Sequence, residues 1–183
     1  MLLLLAGAAA RAQTPPGPHD EVFARGRWHA DASLSGALEA WNYNTSHEEL
    51  LGIAEGATYG LRNGLLLTLH QRVHYISQRA NDTWLLGLTF GVRGRVYERG
   101  GTTVFLDGAL GISDAAIATP PRGTRFNYLA IGGGGMLVRL RPRVHLLAGL
   151  HLMHISNAGL RSRSRNPDIE AIGPTLGLVF GFR

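Results

Sequence analysis

From Trp28 to Ala40 the even positions are Trp, Ala, Ala, Leu, Gly, Leu and Ala, while the odd ones include His29, Asp31, Ser33, Ser35 and Glu39. A period of two with one apolar face is the signature of a β-strand. The same alternation continued along the chain predicts about eight strands, near 28–43, 47–61, 64–78, 83–98, 102–113, 125–140, 143–157 and 169–182. At about 12 to 16 residues they exceed the usual strand of a soluble protein and cover the roughly 9 to 11 residues of a tilted membrane span. The second strand is the least regular, because Leu51, Ile53, Ala57 and Leu61 share their face with Glu55.

The connections alternate in length. Short turns fall at Arg62-Asn63-Gly64, Arg99-Gly100-Gly101 and Arg141-Pro142-Arg143, and longer ones near 44–46, 79–82, 113–124 and 159–168. Short turns at one end and long loops at the other, with an even strand count, predict an all-β, eight-stranded antiparallel transmembrane β-barrel of the outer membrane with both chain ends on the periplasmic side. Trp28, Trp41, Tyr75, Trp84, Phe126, Tyr128 and Phe180 fall near strand ends, as interfacial girdles do. The alternative is a soluble lipocalin-like barrel, in which the apolar face lines a ligand cavity. No run of 18 apolar residues follows the amino terminus, so helical spans are not expected.

The 183 residues suit one domain. An apolar stretch from Leu2 to Ala10, followed by Ala10-Arg11-Ala12, reads as a signal peptide over 1–12, with a flexible proline-rich lead-in over 13–27 and the barrel domain over 28–183. The absence of cysteine excludes disulfides and thiolate metal sites. A net charge of +5, carried by arginine, favours an anionic partner such as phosphate or a lipid headgroup, and export argues against nucleic acid. His70, Arg72, His74, Arg93 and Arg95 are expected in the lumen, partnered by Asp31, Glu39 or Asp107. His70 and His74, about 13 Å apart along one strand, do not suit a shared metal ion.

The remaining polar residues gather near the carboxyl end. On the seventh strand Val144, Leu146, Ala148, Leu150 and Leu152 form the outward face, and His154 and Ser156 continue that parity. On the eighth, Asp168 and Glu170 precede Ile172, Leu176 and Leu178 in the same way. Residues i and i+2 lie about 6.6 Å apart along a strand, within reach for an imidazole to deprotonate a serine hydroxyl. Glu170, across the strand pair, would orient the imidazole, with Asp168 as its stand-in, while Asn157, Gly159 and Asn166 are candidate oxyanion donors. The plainer alternative is a set of interfacial polar residues and a turn.

The run His154-Ile155-Ser156-Asn157-Ala158-Gly159-Leu160, with Asn166-Pro167-Asp168-Ile169-Glu170 after it, resembles the signature of the lipid A 3-O-deacylases, the PagL-like family. Arg122-Gly123-Thr124-Arg125-Phe126-Asn127-Tyr128 is similar to more distant members. The resemblance implies a barrel that hydrolyses the 3-linked acyl ester of lipid A with Ser156 as nucleophile, His154 as base, Glu170 as the orienting carboxylate and Asn166 as an oxyanion donor. Its partners would be lipopolysaccharide and outer-membrane lipids, with a homodimer also admitted. The loop Arg161-Ser162-Arg163-Ser164-Arg165 is longer than in familiar members, and Arg161, Arg163 and Arg165 would pair with lipid A phosphates. No metal or other cofactor is expected for this chemistry. A structural or ligand-binding barrel without enzymatic activity is the competing function.

Overall fold

The computed structural model describes residues 22–41, 47–162 and 166–182. Eight strands, β1 (Trp28–Glu39), β2 (Glu49–Arg62), β3 (Leu65–Ser77), β4 (Thr83–Arg99), β5 (Thr102–Thr119), β6 (Thr124–Arg141), β7 (Val144–Ser156) and β8 (Ile169–Gly181), pair in chain order and close β8 onto β1. Every pairing is antiparallel, so the barrel has no free sheet edge.

The outer face is apolar. Leu34, Leu51, Leu86, Phe90, Leu110, Leu150 and Leu176 are all more than half exposed, and the intervening residues turn inward. Such a surface is stable against hydrocarbon and not against water, which excludes the lipocalin-like alternative. Ring pairs mark both rims: Trp28 with Tyr59 at the short-turn end, and Tyr75 with Trp84 and Phe126 with Tyr128 at the long-loop end. Glu55 breaks the apolar band: it is exposed on the outer face, opposite Gln71 of β3 and Ala32 of β1.

The lumen is layered rather than uniformly polar. Its middle holds Asp31 bonded to His70 (2.7 Å), and Asp107 shared by Arg93 (3.1 Å) and His151 (2.9 Å). Arg95 reaches Glu98 on its own strand (2.7 Å), next to the register shift between Arg95 and Tyr97. Apolar plugs close both ends. Leu66, Phe105, Leu137, Leu147 and Val179 pack with Val22 and Phe23 at the short-turn end. The lead-in expected over 13–27 therefore folds into the barrel from Val22 onward, since two apolar side chains find a dry site there. At the long-loop end Leu50, Ile76, Leu85, Leu129, Met153, Ile155 and Ile169 form the second plug.

Two strand ends depart from the periodicity. The first strand stops at Glu39, four residues earlier than expected. The fifth runs to Thr119, so the long connection expected over 113–124 shrinks to residues 120–123. The ladder breaks between Asp114 and Thr119 and resumes at Thr119–Thr124, which extends the hairpin above the barrel. The buried Asn127 side chain fixes it by donating to the carbonyls of Thr119 and Thr124 (3.0 Å each).

Candidate active site

The last turn of β7 meets the first of β8 in a register that pairs Leu152 with Ile172 and His154 with Glu170. Ile155 and Ile169, which separate the polar residues of each strand, point inward and are fully buried in the long-loop plug. That inward anchoring leaves His154 and Ser156 of β7, and Asp168 and Glu170 beside them, on one outward side. Glu170 is held from its other flank as well, because the Ala40 amide donates to its carbonyl (2.6 Å).

His154 Nε2 lies 2.9 Å from Ser156 Oγ, and His154 Nδ1 lies 3.5 Å from Glu170 Oε1 and 4.0 Å from Asp168 Oδ2. The two ring nitrogens thus face opposite functions. An imidazole that accepts the serine proton at Nε2 carries its own proton on Nδ1, and the carboxylates beside Nδ1 favour that tautomer. Glu170 is the nearer, at a distance loose for a hydrogen bond but usual for a site without substrate. Ser156 is only 7% exposed although it belongs to the outer face; its neighbour across β6 is Tyr128.

After Ser156 the chain turns sharply. Ala158 (φ 53°) and Gly159 (φ 76°) both adopt left-handed backbone, and the Leu160 amide closes the turn on the Asn157 carbonyl (3.1 Å). Asn157 is buried and occupied: its Oδ1 accepts the Gly159 amide (2.9 Å) and its Nδ2 donates to Thr124 Oγ1 (3.1 Å). Its own backbone amide donates to Asn166 Oδ1 (2.9 Å). Two of the three expected oxyanion donors, the amides of Asn157 and Gly159, are therefore committed to the turn. The Asn166 side-chain NH2, beside the oxygen that takes the Asn157 amide, is the donor these bonds leave over.

Thr124 and Asn127 are structural members of the site that residue chemistry alone does not single out. They tie the β5–β6 hairpin to the turn after Ser156 through the Thr124–Asn157 bond. The signal for them in the sequence is the segment 122–128, visible only by its family resemblance.

Between these loops lies an open recess of about 760 Å3, lined by Arg125, Phe126, Asn157 and Arg161. Arg125 is ion-paired with Asp114 (2.9 Å), both well exposed. Arg161 is exposed, and Arg163 and Arg165 lie outside the described residues.

The sequence alone offers no metal-ligand cluster, but folding supplies one. His154, Asp168 and Glu170 place ligand atoms within 4.8 Å of one another. The side chains that orient the imidazole are thus also a possible donor set for a divalent ion, and an ion there would occupy Nδ1 without activating the serine at Nε2.

No family model and no curated protein matches the chain. Solved structures do. Neisserial surface protein A is similar over 85% of this chain and 97% of its own, with 14% identity and a TM-score of 0.63. The outer membrane enzyme PagL is similar over 81% of this chain and 98% of its own, at 16% identity and a TM-score of 0.53. The N-terminal β-barrel domain of Pseudomonas aeruginosa OprF covers 86% of this chain and all of its own, also at 16% and 0.53. Identities this low establish the fold: the chain is an eight-stranded barrel of the outer-membrane type.

Proposed function

We propose that the protein is an outer-membrane serine esterase that hydrolyses the 3-O-linked acyl chain of lipid A. The observation that carries this reading is the line Ser156 Oγ, His154 Nε2, His154 Nδ1, Glu170 Oε1 on the exterior of the barrel at its long-loop end. With both chain ends periplasmic, that end meets the outer leaflet, and a lipid reaches the exterior by lateral diffusion. The resemblance of residues 154–170 to the deacylase signature agrees with it.

His154 takes the Ser156 proton as Oγ bonds to the ester carbonyl carbon, and the carbonyl oxygen becomes an oxyanion held by the Asn166 amide. Collapse breaks the bond to the sugar oxygen, which leaves with the proton that His154 returns. Water, deprotonated by His154, then releases the fatty acid and restores Ser156. Glu170 stabilises the imidazolium in both halves, and Arg161, which lines the recess beside Asn157, would pair with a phosphate of the sugar headgroup.

Mass spectrometry of lipid A from cells expressing the protein tests the proposal. The parent removes one 3-linked hydroxyacyl chain and Ser156→Ala removes none. Identical lipid A from both would favour the non-enzymatic barrel instead.

A further inference from the structure

The short-turn end of the barrel carries charge of one sign. Arg25, Arg27, Arg62, Arg99, Arg141 and Arg143 are all exposed there, and among the described residues the only carboxylate at that end is Glu98, held by Arg95 (2.7 Å). The long-loop end is mixed: Glu39, Glu48, Asp82, Asp114 and Asp168 lie among its arginines, and Arg125 is ion-paired with Asp114. Arg27, Arg62, Arg99, Arg141 and Arg143 have no ion-pair partner among the described residues. A collar of like charges repels itself unless anions surround it.

Two of these arginines converge where β7, β8 and β1 meet. The end of β8 is held on both flanks, by the Gly181 amide donating to the Arg143 carbonyl (2.9 Å) and the Phe182 amide donating to the Trp28 carbonyl (3.1 Å). Beside it lies a small recess of about 40 Å3, lined by Arg27, Arg143, Gly181 and Phe182 together with the buried imidazoles of His29 and His145. Among the described residues no carboxylate lines it. Glycine at 181 keeps it open, since a Cβ there would stand 3.3 Å from His29 Cδ2 and 3.4 Å from Arg143 Cβ. Arg143 itself adopts left-handed backbone (φ 64°) in the turn after β6, a conformation that glycine or asparagine takes at lower cost. An arginine held where its backbone is disfavoured points to a use for its side chain.

We infer that this recess binds the headgroup phosphate of an anionic phospholipid. With both chain ends periplasmic, as proposed above, the lipid comes from the inner leaflet of the outer membrane. Depth favours a lipid over a soluble anion. Trp28 and Phe182 are exposed at the same level, and Trp28 packs on Tyr59 with ring centroids 4.8 Å apart. Aromatic girdles mark the boundary between acyl chains and headgroups, so guanidinium groups next to them meet phosphates. The planar guanidinium fork matches two phosphate oxygens at once, and the arginines on either side of Gly181 can grip one phosphate from two directions. A zwitterionic headgroup brings its own cation against the same arginines, so selection falls on headgroups with net negative charge. Nothing in this site depends on the esterase chemistry, which lies at the opposite end of the barrel.

Trp28 reports on the site directly. In a Trp41→Phe/Trp84→Phe background it is the sole tryptophan of the chain. The full chain is folded into vesicles of phosphatidylcholine mixed with phosphatidylglycerol, with bromine on the acyl chains of one lipid at a time, and quenching of Trp28 gives the relative affinity of the two lipids at the rim. A preference of about fivefold for phosphatidylglycerol is expected. Arg27→Gln/Arg143→Gln should bring the ratio to about one, whereas Arg62→Gln/Arg99→Gln, elsewhere on the rim, should leave it within about twofold of the parent. Arg27→Gln alone, expected to lower the preference about twofold, serves if the double variant lacks the heat-dependent electrophoretic shift of a closed barrel. Equal quenching by both lipids in the parent overturns the site. Equal loss in the two arginine pairs overturns the recess in favour of diffuse rim charge. Inorganic phosphate, compared with sodium chloride at the same ionic strength, should leave the preference unchanged; if phosphate alone abolishes it, the recess belongs to a soluble anion and the lipid assignment fails.

Discussion

His154 and Glu170 are direct cross-strand partners, and the Glu170 carboxylate stands 3.5 Å from Nδ1 while that of Asp168 stands 4.0 Å away. Register fixes the first distance, whereas Asp168 precedes β8 and reaches the ring from irregular backbone. Glu170→Gln should therefore lower kcat on ester substrates by about 10^2 to 10^4, with KM little changed, because an amide no longer selects the productive tautomer. Asp168→Asn should cost less than about tenfold on the same scale. Steady-state kinetics on both variants decides the order; the reverse ranking would transfer the orienting role to Asp168.

The strand count, the closed antiparallel topology and the placement of His154 with Ser156 were legible because period-two alternation states which face each residue takes, and pairing follows from chain order. What the alternation does not encode is what fills the lumen at each level. Ile155 and Ile169 read as ordinary inward positions, yet their packing with Leu129 and Met153 forms an apolar floor directly behind the polar residues. Nor does it encode loop hydrogen bonds. Asn157 and Gly159 look like free donors next to a serine, and only the folded turn shows their amides spent on Asn166 and on Asn157 itself.

That bookkeeping of donors predicts the outcome at Asn166. Asn166→Ala removes the side-chain NH2 and should lower kcat by about 10^2 to 10^3. It also deprives the Asn157 amide of its acceptor, so Asn166→Asp, which keeps an acceptor oxygen but no NH2, is the informative companion. Loss of activity in both, with folding of the Asp variant intact by circular dichroism and electrophoretic mobility, assigns the donor. An active Asn166→Asp enzyme would remove Asn166 from oxyanion stabilisation.

Because His154, Asp168 and Glu170 can act together as metal ligands, zinc should inhibit. A Zn2+ ion bound at Nδ1 displaces the proton that the productive tautomer needs and occupies both carboxylates. Micromolar Zn2+ is expected to suppress ester hydrolysis reversibly, and a chelator to restore the original rate without lowering it. Asp168→Asn, which keeps Glu170, should weaken the inhibition by about tenfold. Activity that falls on chelation alone would instead indicate a required ion.

Glu55 is a cost carried on the outer face. It lies halfway along β2 among Ile53, Ala57 and Leu69, with Gln71 as its polar neighbour. A carboxyl group at that depth costs free energy relative to a hydrocarbon side chain, although less than an arginine or lysine would. Glu55→Leu should raise the unfolding free energy in phospholipid vesicles by about 1–2 kcal/mol and leave ester hydrolysis unchanged. A less stable variant would show that Glu55 has a partner in the membrane that the isolated chain does not provide.

The plug behind the site supplies the last prediction. Ile169 is fully buried between Asp168 and Glu170, and it anchors the start of β8 against Ile155 and the rest of the long-loop cluster. Truncating it leaves a cavity in a packed layer that a neighbouring side chain cannot readily fill, at a cost of about 2–4 kcal/mol. The strand end that carries Glu170 then loses its inward anchor while keeping its ladder bonds to β7 and β1. Ile169→Ala should accordingly lower kcat by more than tenfold without touching any polar residue, since a displacement of about 1 Å at the carboxylate suffices for a large loss. Ile169→Val, which preserves most of the volume, should recover most of the rate and stability. Measuring both variants for urea unfolding and for kcat separates the two roles: stability lost with an unchanged kcat would show that β7–β8 pairing alone holds Glu170 in place.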